Sequence, residues 1–269
     1  MTRNATLPAL LLLLVLTPGA AAHEGLHEQI MRITERLARE PNAELFLQRG
    51  ELHRLHGNWK SAERDYLRAR KLHPGLTTVD LCRGLLSLDR GRGEEALKPL
   101  RRFVTSNAED ARGHLALARA LSLTGKAAEA ANAFAAAFEH IVDPDPDLLL
   151  QYVHAVAAAR GPADALQQLD AWQTRIGPVV TLQLAAIDLE VASGRYDEAL
   201  RRIDAAMGGA VRKETWLERK RDILLRAGRE ADALLVYRAA LEALSLLPPE
   251  RRFTRGMQQL EERLRRAIN

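Results

Sequence analysis

Aromatic residues are scarce in this sequence: they make up 4% of 269 residues, against 47% hydrophobic residues overall. Alanine and leucine must therefore fill the core. That suits close-packed helices and excludes a β-sandwich, which draws on branched and aromatic side chains. Cysteine occurs once, at Cys82, so there is no internal disulfide, no CxxC pair and no cysteine near the N-terminus to carry a lipid. Neither sign of charge dominates, with 39 Lys and Arg against 35 Asp and Glu. Opposite charges alternate along most of the chain, so no nucleic-acid partner is expected despite a pI near 9.4. Glycine-rich phosphate loops and HExxH pairs are missing, and Cys82 has no base beside it in sequence. The carboxylates are spread as i,i+4 partners of Arg and Lys. These absences predict a protein with no catalytic residue and no cofactor.

Long apolar runs are also missing, save one from Leu7 to Leu16. Arg3 precedes it, Pro18-Gly19 breaks it, and Ala20-Ala21-Ala22 supplies the small residues that a signal peptidase needs. Residues 1–22 thus read as a secretory signal cut before His23. An uncleaved anchor is the competing reading, but a spanning helix needs roughly 20 apolar residues. The n-region has no twin arginine, which favours export of an unfolded chain. The expected location is the periplasm or outside the cell, with no stable membrane span once the signal is removed.

What remains is periodic. In residues 23–42, Leu26, Ile30, Ile33 and Leu37 recur at helical spacing, and Pro41-Asn42 ends the helix. Glycines then fall at Gly57, Gly91, Gly125, Gly161, Gly194 and Gly228. Alanines follow at Ala62, Ala96, Ala130, Ala165, Ala199 and Ala233, at intervals of 34, 34, 35, 34 and 34. Glycine permits a positive-φ turn between two helices, and alanine lets them cross closely. Within Ala43 to Pro74, Phe46, Gly50, Gly57, Ala62, Tyr66, Ala69 and Pro74 occupy positions 4, 8, 15, 20, 24, 27 and 32. That set, in a 34-residue unit, resembles a tetratricopeptide repeat, a helix-turn-helix hairpin that stacks into a solenoid.

The resemblance implies an all-α fold, a right-handed α-solenoid of about six units near 43–76, 77–110, 111–145, 146–178, 179–212 and 213–247. Asp143-Pro144-Asp145-Pro146 reads either as a hinge or surface excursion or as an ordinary repeat boundary with one residue added, and its Asp residues can cap the next helix. The fourth unit has its glycine four residues ahead of its alanine, not five. In the sixth, Lys or Arg replaces the small eighth residue. After Pro248-Pro249, residues 248–269 read as a capping helix with Phe253, Met257, Leu260, Leu264 and Ile268 on one face. No room remains for a separate catalytic domain.

In this family positions 2, 5, 9 and 12 of the first helix face a concave groove. The resemblance places there Glu44, Leu47, Glu51 and Arg54, then Thr78, Leu81, Leu85 and Leu88, then Arg112, Leu115, Arg119 and Ser122. The fourth unit would add Asp147, Leu150, His154 and Ala157. Each leucine could instead be buried against its paired helix. A leucine stripe between charged rims suits an amphipathic helix or an extended segment of a protein partner. The carboxylate-clamp subtype is excluded, because Leu47 and Glu51 stand where it needs Lys and Asn.

The implied function is a non-catalytic protein-binding scaffold of the cell envelope. Two alternatives stand beside it. One is a copper-binding envelope protein, in which a free N-terminal amine and imidazole at His23 act with His27, near His53 and His56. The other is a regulatory subunit of an envelope enzyme complex. Finally, the basic run Arg212 to Arg229 and the cluster Arg251, Arg252 and Arg255 read either as a solvated cap or as a patch drawn to anionic membrane or an acidic partner.

Overall fold

The structure is a computed structural model describing residues 18–177, 179–209 and 213–268. Among the described residues there are fifteen helices and no strand. The apolar core of the expected leader, Leu7 to Leu16, lies outside them. The chain divides into two compact units, one ending at Leu123 and one beginning at Thr124. This division falls inside the third expected repeat.

The first unit contains α1 (Pro18–Arg39), α2 (Ala43–Leu55), α3 (Trp59–Leu72), α4 (Thr78–Asp89), α5 (Gly93–Ser106) and α6 (Ala111–Leu123). Helix α1 begins five residues before the expected cleavage position. Asn42 then restarts the chain as the cap of α2, its side chain accepting from the Leu45 amide at 2.8 Å. Such a cap stabilises a helix start by about 1 kcal/mol. The second unit contains α7 (Ala127–Phe138), α8 (Pro146–Arg160), α9 (Pro162–Ile176), α10 (Val180–Ala192), α11 (Tyr196–Gly208), α12 (Glu214–Arg226), α13 (Glu230–Ser245), α14 (Pro249–Arg252) and α15 (Arg255–Ile268). As the sequence suggests, Asp145 caps α8, accepting from the Asp147 amide at 2.7 Å.

All six timekeeping glycines adopt positive φ. Gly161, at φ 95°, is the sole residue between α8 and α9, and Pro162 opens the following helix. A one-residue turn accounts for the shortened glycine-to-alanine spacing in that repeat.

Within a hairpin the residues at positions 8 and 24 meet. A Cβ on Gly50 would lie 2.5 Å from Tyr66 Cε1, and one on Gly84 would lie 2.4 Å from Leu100 Cγ. The missing side chain is the space its partner fills. In the fifth hairpin two isoleucines, Ile187 and Ile203, share these places in one core cluster. In the sixth, Arg221 at position 8 lays its guanidinium over the Tyr237 ring, 5.1 Å from the centroid, so a cation on an aromatic face replaces the small residue. In the second unit Phe138 also meets Tyr152 edge-on at 5.2 Å and Trp172 at 5.3 Å, joining α7, α8 and α9.

Among the described residues three carboxylates are buried, and each is paired with arginine from another helix. Arg49 donates through Nε and Nη2 to the two oxygens of Asp65, each at 2.7 Å, and through Nη1 to Thr34 of α1 at 3.0 Å. Arg70 and Arg102 reach Asp80 at 2.8 and 2.5 Å, tying α3 and α5 to α4. Arg202 bridges Glu190 at 2.8 Å and Asp170 at 3.1 Å, joining α11, α10 and α9. Pairing of this kind fixes which helices are neighbours more than it adds net stability.

The C-terminal segment differs from the single capping helix expected. Thr254 Oγ1 donates to the Arg251 carbonyl at 2.9 Å at the break between α14 and α15. Leu260 and Leu264 are buried against Leu217, Tyr237 and Leu244, with Met257 alongside. Phe253 does not share that face. It caps α14 and is 65% exposed, because the interruption takes it off the apolar stripe. The side chain of Ile268 lies outside the described residues.

Candidate functional site: the cleft of the first unit

The first helices of the hairpins, α2, α4 and α6, lie side by side with α1 at one edge. Together they enclose an open cleft of about 660 Å³. Helix α1 contributes Gln29 and Ile33; α2 gives Leu47, Gln48, Glu51 and Leu52. Helix α4 supplies Thr78, Leu81, Cys82 and Leu85, and α6 adds Arg112, Leu115, Ala116 and Arg119. Ile33, Leu47, Leu81, Leu85 and Leu115 make an apolar floor between a carboxylate on α2 and two arginines on α6. Leu81 is buried, whereas Leu47, Leu85 and Leu115 are only half-buried. Eight of the residues expected in the groove therefore line one cleft: Leu47, Glu51, Thr78, Leu81, Leu85, Arg112, Leu115 and Arg119.

The others are placed elsewhere. Arg54 is turned aside, bonded to Glu51 at 3.0 Å and to Asp89 at 2.5 Å. Burial works against its charge, and the two carboxylates outweigh that and raise its pKa. Glu44 is exposed, 4.0 Å from His73. Leu88 is half-buried and Ser122 exposed, and neither lines the cleft. His154 and Asp147 are exposed on α8 of the second unit, with Leu150 and Ala157 half-buried there.

Glu51 is the polar centre of the cleft. Besides Arg54, it accepts a short hydrogen bond from the Tyr66 hydroxyl at its back. Cys82 lies beside it, and burial first, then this carboxylate, pushes the thiol pKa up. Such a thiol is a poor nucleophile. On the rim, Asp110 holds Arg112 at 2.7 Å and raises its pKa. The arrangement can accept an apolar segment and orient it by charge.

Sequence reasoning missed Gln29, Ile33, Gln48, Leu52, Cys82 and Ala116. Ile33 was legible as part of a stripe, but the stripe serves two faces: Ile30 and Leu37 are buried while Ile33 turns to the cleft. A smaller cleft of about 390 Å³ lies in the second unit, lined by Val180, Leu184, Trp216, Glu218, Arg219 and Asp222.

His27 is exposed on α1. His53 has Nε2 4.0 Å from Asp65, and burial lowers its pKa. The side chain of His23 lies outside the described residues. Among the described residues no group of three or more His, Cys, Asp or Glu is arranged to hold a metal ion. None of the described helices is long and apolar enough to cross a membrane.

No family model matches the chain, and no curated protein does. Solved structures do. A tetratricopeptide repeat protein from Parabacteroides merdae aligns over 93% of this chain and 100% of its own, with a TM-score of 0.51 and 16% identity. PilF of Pseudomonas aeruginosa aligns over 84% of this chain and 99% of its own, with a TM-score of 0.53 and 15% identity. A chain of the Naa15/Naa10 complex bound to HypK-THB gives a TM-score of 0.55 at 19% identity, over 86% of this chain but 38% of that longer one. Hairpins closed by positive-φ glycines at this spacing, together with these likenesses, identify the fold as that of a tetratricopeptide repeat protein.

Proposed function

We propose that the chain is a non-catalytic protein-interaction scaffold, and that the cleft of the first unit holds an apolar segment of a protein partner. The observation that carries this reading is the half-buried leucine floor, Leu47, Leu85 and Leu115, left open between Glu51 and Arg112 with Arg119. Apolar anchors in such a floor supply affinity, and the flanking charges fix direction. A related fold bound to HypK-THB supports the general mode. Photo-crosslinking tests it. A benzoylphenylalanine replacing Leu85 should give a discrete adduct in cells, abolished by Leu115→Asp. The same probe replacing exposed Leu235 should give none. Adducts of equal yield from both positions would remove the cleft from the mechanism.

We further infer that this scaffold works outside the cytoplasm. The basic, apolar and small-residue order of residues 1–22 supports export. Protein recovered from an envelope or secreted fraction should begin at His23 by N-terminal sequencing. Recovery of a cytosolic chain retaining residues 1–22 would refute it.

A further inference from the structure

The segment between α13 and α15 has no part in the cleft, and its side chains are disposed in an unusual way. Leu244 is buried and Leu247 packs beside it, but Leu246 between them is 78% exposed. Seven residues on, Phe253 is 65% exposed. The two are held by a stiff connection: Pro248 is extended at φ −55° and ψ 146°, and Pro249 opens the single turn of α14. Arg252 stands 6.0 Å from the centroid of the Phe253 ring and is tied to Glu261 at 3.5 Å, which anchors α14 to α15. Leu246 and Phe253 are thus two large apolar side chains exposed within one short, proline-stiffened turn.

The charges around them indicate what that surface meets. From Ser245 to Gly256 there are three arginines and one acid, Glu250. Arg251 and Arg255 are exposed and make no ion pair among the described residues. By contrast Arg263, Arg265 and Arg266 of α15 are paired with Glu218, Glu261 and Glu262 at 3.2, 2.7 and 2.5 Å. Open positive charge is thus concentrated where the exposed leucine and phenylalanine are. An acidic protein groove would need a shape complementary to this turn. An anionic bilayer needs only cations for its headgroups and apolar tips of a few ångströms for the acyl boundary.

We propose that the turn from Ser245 to Gly256 is a membrane-surface contact. Leu246 and Phe253 enter the headgroup region of an anionic bilayer, while Arg251 and Arg255 bind its phosphates. This site is independent of the cleft, so partner capture in the first unit does not bear on it.

Sedimentation with vesicles tests the idea, using phosphatidylcholine alone and phosphatidylcholine mixed with phosphatidylglycerol. Wild-type protein should bind the mixed vesicles, fail to bind the neutral ones, and be released as salt rises. Arg251→Ala with Arg255→Ala should weaken binding about thirtyfold. Leu246→Ala with Phe253→Ala should weaken it by about tenfold or more. All the proteins are prepared as the chain beginning at His23, so the apolar run Leu7 to Leu16 takes no part in binding. An environment-sensitive fluorophore on Phe253→Cys should brighten on anionic vesicles, whereas one on Leu235→Cys should not; buried Cys82 stays unlabelled. Equal binding to neutral vesicles, undiminished binding by the arginine variant, or no vesicle response would each overturn the proposal. The last result together with a crosslink from position 253 to a soluble protein would assign the turn to a protein partner instead.

Discussion

Asp65→Ala is expected to lower the unfolding free energy of the first unit by about 3–5 kcal/mol, the cost of stripping one member from a buried ion pair. Asp65 is 3% exposed and Arg49 13% exposed, so the guanidinium left behind finds little water. Its remaining described partners would be the Thr34 hydroxyl at 3.0 Å and the face of the Phe46 ring, 5.6 Å from the centroid. The damage should spread to α1, because Arg49 joins that helix to α2 and α3 through one fork. Urea unfolding read by circular dichroism measures the loss, and hydrogen exchange in α1 should rise with it. Removing both partners, as Arg49→Met with Asp65→Met, should restore much of the stability, since no buried charge is then left unpaired. A single substitution costing under about 1 kcal/mol would show that Arg49 escapes to solvent.

Tyr66→Ala should be of similar severity, about 3–5 kcal/mol by analogy with other buried aromatic truncations. The ring is fully buried and lies against Gly50, which has no side chain to move into the void. The same ring carries the hydroxyl that supports Glu51 from behind the cleft. Tyr66→Phe separates the two contributions: it keeps the packing, removes the hydrogen bond, and should cost about 1 kcal/mol. Thermal melts give the ranking, and Cys82, a member of the same cluster, reports where the damage lies. A thiol reagent should label Cys82 readily in the alanine variant and hardly at all in the phenylalanine one. Comparable stability of Tyr66→Ala and wild type would mean that the hairpin closes over the gap.

How much of this was legible in the sequence depends on the range of the interaction involved. The turn glycines were readable because positive φ is a property of one residue, and Gly57 through Gly228 needed no knowledge of their neighbours. Gly50 against Tyr66 was nearly as plain, since both lie in one repeat at fixed positions. Leu47, Glu51, Leu81, Leu85, Leu115 and Arg119 reach one cleft because helical phase alone sets the side of the first helix that faces it. Arg54 has the same phase and yet turns away, for a carboxylate 35 residues later, Asp89 at the end of α4, claims it. No local pattern encodes that competition. Phe253 was misread for the opposite reason: an apolar stripe was continued across a break made by Phe253 and Thr254. The buried pairs of Asp65, Asp80 and Glu190 were invisible as pairs, because each is chosen in three dimensions from a surface full of arginine and carboxylate.

The matching of positions 8 and 24 bears on how such a chain can change over generations. Gly50 is shaped to Tyr66, Gly84 to Leu100, Ile187 to Ile203 and Arg221 to Tyr237, so each of these four first helices carries the imprint of its own second helix. A crossover between repeats that exchanges whole hairpins keeps every such couple together. One that breaks inside a turn would set Arg221 against Leu100 or leave Tyr66 facing isoleucine. The heritable module of this array is therefore the complete hairpin, and its turn glycines mark where recombination is least tolerated.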